Sequence, residues 1–208
     1  MRQRRELHAV TTGRQAMELL TAIAAAIHPY VTAIHVREKH LSAAALQALA
    51  ERLLAAGVPG ERLYLNGRLQ VARDMGLGGV QLPGDWPKLE RAGQTDAGSL
   101  RIGVSVHSVK EALEREREGA DYVLYGHIYA TDSKLGLPPR GLEGLRELTL
   151  RTRVPVVAIG GITPLNAAAV CAAGAAGVAV MSGIWEADDP VQAAETYALA
   201  LQGTGGRG

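Results

Sequence analysis

Eight β/α units in a 208-residue chain predict an α/β fold, the single-domain (β/α)8 or TIM barrel. Three observations carry this expectation. Short runs rich in Val and Ile alternate with longer helical stretches, as parallel strands joined by crossover helices require. The alternation repeats eight times, and no linker-like stretch interrupts it. The barrel is expected to fill residues 1–204, leaving 205–208 as a flexible C-terminal tail.

The strands are expected at 7–11, 32–36, 62–65, 79–82, 102–106, 122–125, 156–159 and 178–181. After the first comes the helical run "QAMELLTAIAAAIH", and after the second "SAAALQALAERLLAAG", which ends at glycine as helices commonly do. "SVKEALEREREG" follows the fifth strand in the same way, and "PVQAAETYALAL" follows the eighth. The fourth connection, "DWPKLERAGQTDAGSL", carries the weakest helical pattern. A flavodoxin-like doubly wound sheet would leave three of the eight units unexplained.

Composition excludes several function classes. A formal net charge of +1 with both signs interspersed leaves no broad basic face for nucleic acid or an anionic membrane. Aromatic residues make up only 4% of the chain, too few for a base-stacking platform. The expected partner is therefore a small molecule. One cysteine, Cys171, lies in "NAAAVCAAG", so there is no disulfide frame, and a packed core thiol is the simplest reading. The basic start "MRQRR" is not followed by a long apolar stretch, and no run reaches the roughly 18 apolar residues of a membrane helix. A cytoplasmic protein is expected.

Barrel chemistry gathers at the C-terminal ends of the strands, so the strand exits are informative. They read "HVREK", "LNGR", "SVHS", "GHIYATDSK", "IGGIT" and "MSG" after strands 2, 3, 5, 6, 7 and 8. Arg37-Glu38-Lys39 alone would be a solvated charge run; six polar exits together argue for a site. Glycines in "AIGGIT" and "VMSG" let backbone N–H groups approach an anion, so Gly161, Met181 and Ser182 are expected to bind phosphate. With a negative φ at Gly161, valine there would weaken phosphate-ester binding and spare the fold. Thr163 and Pro164 also suit a helix start.

Of the six histidines, His28 and His40 look like surface or helix-end residues, and His8 lies inside strand 1 as a structural residue. His35 and His107 stand near strand ends, where substrate contact and a supporting role are both open. His127 leaves strand 6 after a glycine and enters a polar loop. Imidazole takes and returns protons near neutrality, which makes His127 the candidate catalytic group. No histidine combines with Asp or Glu into a metal-ligand set, and no Ser or Cys occupies a nucleophile elbow.

The segments "HVREK", "LNGR", "GVQLPGD", "GVSVHS", "DYVLYGHIYATDSK", "VVAIGGIT" and "GVAVMSGI" resemble, in order and spacing, the thiamine-phosphate synthase superfamily. The resemblance covers nearly the whole chain and is closer to the TenI branch, the thiazole tautomerases, because the "GH" after strand 6 is similar to that branch's signature. It implies a (β/α)8 barrel.

Synthases of this superfamily join a pyrimidine diphosphate to a thiazole phosphate and use Mg²⁺ on the departing diphosphate. The resemblance places their two metal-binding aspartates at Gly67 and Trp86 of this chain, with Asp85 one residue early. What remains of the pattern is Arg37, Lys39, Asn66, Ser105, Lys134 and the phosphate loops; with His107 these form the expected substrate-binding set. The implied reading is a metal-independent isomerase without cofactor, in which His127 shuttles a proton on a thiazole carboxylate phosphate. A thiamine-phosphate synthase, a transferase, is the alternative, and a non-catalytic binding or regulatory protein is another. Pairing into a homodimer is left open.

Overall fold

The computed structural model describes residues 5–89 and 100–203. In them eight parallel strands close into a barrel in chain order: β1 Glu6–Val10, β2 Ala33–Val36, β3 Leu63–Asn66, β4 Gly79–Leu82, β5 Arg101–Val106, β6 Tyr122–Gly126, β7 Val156–Ile159 and β8 Gly177–Val180. Each lies within one residue of its expected bounds. Closure is made by β8 on β1, with Val178 opposite Leu7 and Val180 opposite Ala9. The expected tail at 205–208 and most of the fourth connection lie outside the described residues.

The helices are α1 Met17–Ile27, α2 Ala43–Ala55, α3 Leu69–Asp74, α4 Val109–Glu118, α5 Gly141–Arg151, α6 Ala167–Ala172, α7 Ser182–Trp185 and α8 Pro190–Gln202. Their starts follow capping chemistry: Ser42 accepts from Ala45 N–H, Ser108 from Glu111 N–H, and Asp189 from Val191 and Gln192 N–H ahead of Pro190. Residues 163–166 form a turn instead of the helix start that Thr163 and Pro164 foretold. There the Asn166 side chain accepts from Thr163 N–H and donates to Gly161 C=O, and α6 begins only afterwards.

Period-two alternation sends strand side chains to opposite faces. Leu7, Ala9, Leu63, Leu65, Val80 and Val104 point outward into the main core against the helices. Val10, Ala33, Tyr64, Tyr122, Leu124, Val157 and Ala179 fill the barrel interior. Two large rings fit inside because glycine faces them across the ladder. Tyr64 pairs with Gly79, and Tyr122 with Gly103. A Cβ on Gly103 would come within 2.0 Å of the Tyr122 ring, which is fully buried. Gly103→Ala is therefore expected to cost about 2 kcal/mol through overpacking, seen as a Tm lowered by roughly 5 °C. An unchanged Tm would mean that the ring has room to move.

Candidate active site

The C-terminal ends of the strands surround a cavity of about 780 Å³. All ten residues singled out from the sequence line it: Arg37, Lys39, Asn66, Ser105, His107, His127, Lys134, Gly161, Met181 and Ser182. Each strand exit adds a short segment that turns outward from the sheet, which is how residues more than a hundred positions apart share one wall.

Among the described residues the charge of the wall is one-sided: Arg37, Lys39, Arg68 and Lys134 line it, against one carboxylate, Glu38. Glu38 is buried, and its Oε1 accepts a 2.6 Å hydrogen bond from the Thr11 hydroxyl. The same Thr11 oxygen accepts from Arg37 N–H, so Thr11 fixes the backbone that carries Arg37. Arg68 donates to Gly67 C=O and Leu41 C=O, which holds the guanidinium at the rim. Four cations at one mouth, set against a carboxylate already engaged, make a pocket for a multiply charged anion.

Gly161 has φ +64°, and a Cβ there would meet Ala130 O at 2.5 Å and Tyr129 Cβ at 2.8 Å. The expectation that valine would spare the fold was conditional on a negative φ, and that condition is not met: Gly161 lets the β7 loop pass against the β6 loop as well as facing the cavity. Gly126 also lines the cavity, and a Cβ on it would lie 2.2 Å from Ile159 O, so β6 and β7 approach closely there.

The histidines separate by position. His127 is 8% exposed, with Nε2 placed 3.2 Å from Leu137 O and its own C=O accepting from Arg140 N–H. It thus ties the start of the loop that carries Lys134 to the loop's C-terminal half. His107 Nδ1 lies 3.2 Å from Gly126 O at the cavity edge. His35, for which contact and support were both open, is fully buried and does not line the cavity; it belongs to the support beneath it. His8 is buried inside the barrel as expected, and Cys171 is buried too.

Sequence reading missed two wall residues of weight. Gln81 sits in an apolar strand, and its Nε2 donates to Ser105 Oγ while its Oε1 accepts from the Tyr122 hydroxyl. A lone polar residue at an inward position of "GVQL" was the available signal. Arg68 was visible in "LNGR" as the one cation of that exit.

The family model described as thiamine monophosphate synthase matches residues 7–184 of this chain. The chain belongs to this family. The thiamine-phosphate synthase of Roseiflexus castenholzii is 39% identical over 191 residues, 88% of this chain and 82% of that protein. That of Natronomonas pharaonis is 38% identical over 200 residues, 93% and 91% of the two chains. The thiamine phosphate pyrophosphorylase structure from Pyrococcus furiosus superposes with a TM-score of 0.81 at 32% identity, covering 97% of each chain. A 3-hexulose-6-phosphate synthase structure, with a TM-score of 0.74 at 20% identity, shares the fold.

These synthase relatives correct the tautomerase reading and with it the isomerase class. Relatives 33–42% identical to this chain are named thiamine-phosphate synthases, so the family supports a transferase. The "GH" pair by itself does not fix the reaction class. A histidine at a strand exit shows that a titratable ring is present, but not where its nitrogens point, and His127 Nε2 is directed at the loop carbonyl.

The Mg²⁺ that the synthase family implies does not fit the described residues. Magnesium is held by hard oxygen ligands, usually one or two carboxylates plus substrate phosphates. Gly67 offers no side chain, and Trp86 packs half-buried against the main core. Asp85 is exposed and not on the cavity wall. Among the described residues, no cluster of three or more His, Cys, Asp or Glu side chains could hold a metal ion.

Proposed function

We propose that this chain is a thiamine-phosphate synthase, a transferase that joins a pyrimidine diphosphate to a thiazole phosphate and releases pyrophosphate. The observation that carries this reading is the cationic cavity mouth in a chain related to synthases over most of its length. In the transfer, the carbon–oxygen bond to the diphosphate breaks, and the ring nitrogen of the thiazole supplies the electron pair for the new carbon–nitrogen bond. Negative charge accumulates on the departing pyrophosphate. Arg37, Lys39, Arg68 and Lys134 supply preorganised positive charge for it, the kind of stabilisation that is worth most at a site shielded from water. Gly161, Met181 and Ser182 are proposed to receive the phosphate of the thiazole partner, and Ser105 with His107 to line the space between the two anions.

The test is direct. Purified protein mixed with the pyrimidine diphosphate and the thiazole phosphate is expected to form thiamine phosphate and pyrophosphate in equal amounts, followed by chromatography. Absence of thiamine phosphate above the enzyme-free control, with and without added Mg²⁺, would overturn the reading.

Lys134 provides a second check. It lines the cavity from the 3-10 turn Asp132–Lys134. Removing one charge-assisted contact to a phosphate costs about 1.5–3 kcal/mol, so Lys134→Ala is expected to weaken pyrophosphate binding roughly 10- to 100-fold in calorimetry. Unchanged affinity would take Lys134 out of the site.

A further inference from the structure

Beneath the cavity the barrel interior holds a chain of polar side chains that the proposed transfer does not use. Arg101 donates to both Glu6 carboxylate oxygens, at 2.6 and 3.0 Å. His8 Nε2 lies 2.7 Å from Glu6 Oε2, and His8 Nδ1 lies 2.9 Å from His35 Nε2. The Asn66 side chain faces His35. There the chain stops at two buried atoms without a hydrogen-bond partner, His35 Nδ1 and Asn66 Oδ1. Asn66 is also the one member of this chain that lines the cavity.

Donor and acceptor counting orders the protons. An ionised Glu6 can only accept, so His8 must carry its proton on Nε2. Neutral His8 then accepts at Nδ1, His35 donates from Nε2, and His35 Nδ1 is left as an acceptor. Only the amino end of Asn66 can satisfy that acceptor, so this ordering exchanges the two ends of the carboxamide, whose oxygen is the buried and partnerless atom, and turns the oxygen to the cavity. One extra proton reverses everything: His8 donates from both nitrogens, His35 donates from Nδ1, and the Asn66 oxygen must turn inward to accept it. Which end of a carboxamide points where is a matter of hydrogen-bond consistency, and the two orphaned atoms sit where that choice is made.

We propose that Glu6, His8 and His35 are positioning residues that fix the Asn66 carboxamide with its oxygen toward the ligand. An outward oxygen accepts from a ligand N–H or O–H and repels a phosphate oxygen. Asn66 thereby sorts the heterocycle end of a ligand from its phosphate end. The proposal rests on the cavity as the ligand site but not on the transfer reaction itself. The charged and titratable groups facing the two histidines are Glu6, Arg101, Tyr64 and Tyr122. Burial pushes both histidines down, outweighing the upward pull of Glu6 on His8, and burial also pushes both phenols up. The neutral ordering is therefore the one present near neutral pH.

The test is nitrogen NMR on the whole ligand-free chain labelled with ¹⁵N-histidine. His8 and His35 are expected as neutral rings protonated on Nε2 between about pH 6 and 8. Asn66→Asp places an acceptor-only group against His35, and the expected result is a His35 proton moved to Nδ1 with His8 doubly protonated. Glu6→Gln, which can donate or accept, is expected to give mixed tautomers at both rings. A parent His35 carrying its proton mainly on Nδ1 overturns the proposal. So does a folded Asn66→Asp protein whose histidine signals match the parent's. A failed coupling assay with these NMR results intact would count against the transferase reading alone.

Discussion

Gly161→Val is expected to cost on the order of 4 kcal/mol and to lower the Tm by roughly 10 °C, because two penalties add at that residue. A φ of +64° is a left-handed backbone that a β-branched residue resists. The new Cβ would also press on Ala130 O at 2.5 Å, a backbone atom of the neighbouring loop that cannot swing aside like a side chain. Thermal unfolding followed by circular dichroism measures the loss. A Tm within about 2 °C of the parent would show that the β6 and β7 loops separate easily, and Gly161 would then matter for ligand access alone.

Arg101→Met is expected to cost about 3 kcal/mol at pH 7, since it strands a largely buried carboxylate. Burial by itself would raise the Glu6 carboxyl. Hydrogen bonds and charge from His8 and Arg101 outweigh burial and hold it at about 2, below its usual 4.5. A folded-state value below the unfolded one means that the stabilisation is present in full above about pH 5 and is lost as the pH falls toward 2, a span of about 3 kcal/mol. Without Arg101 this acid limb should move to higher pH. Arg101 also stacks 4.6 Å from the Tyr122 ring centre, so part of the loss is packing. Urea unfolding across pH 3–8 checks both claims. Glu6→Gln combined with Arg101→Met is expected to regain more than half of the lost stability, because no lone charge then remains inside. A double variant no better than Arg101→Met alone would assign the loss to packing.

The barrel was legible because its strands are apolar on both faces for much of their length, and Val- and Ile-rich runs such as 156–159 survive any reading frame. The cavity wall was legible because polar residues at strand exits have nowhere else to point. What lay hidden was the interior. Glu6 and Arg101 sit at the first positions of β1 and β5, where a sequence gives no sign that two strands so far apart meet across the barrel. His35 looked like a neighbour of the site because it precedes Val36 and Arg37, yet strand alternation turns it inward below the floor. Reaction class was the least legible. The isomerase expectation was corrected by the synthase relatives, not by any side chain of the site.

His8, His35 and Tyr122, all fully buried, plug the barrel under the cavity, so traffic is confined to the strand-exit end. Such a cul-de-sac imposes a queue. Of two ligands sharing it, the deeper must enter first, and the product fragment seated deepest must leave last. For the proposed transfer, steady-state kinetics should accordingly show a compulsory order of addition, with one product competing against only one of the two substrates.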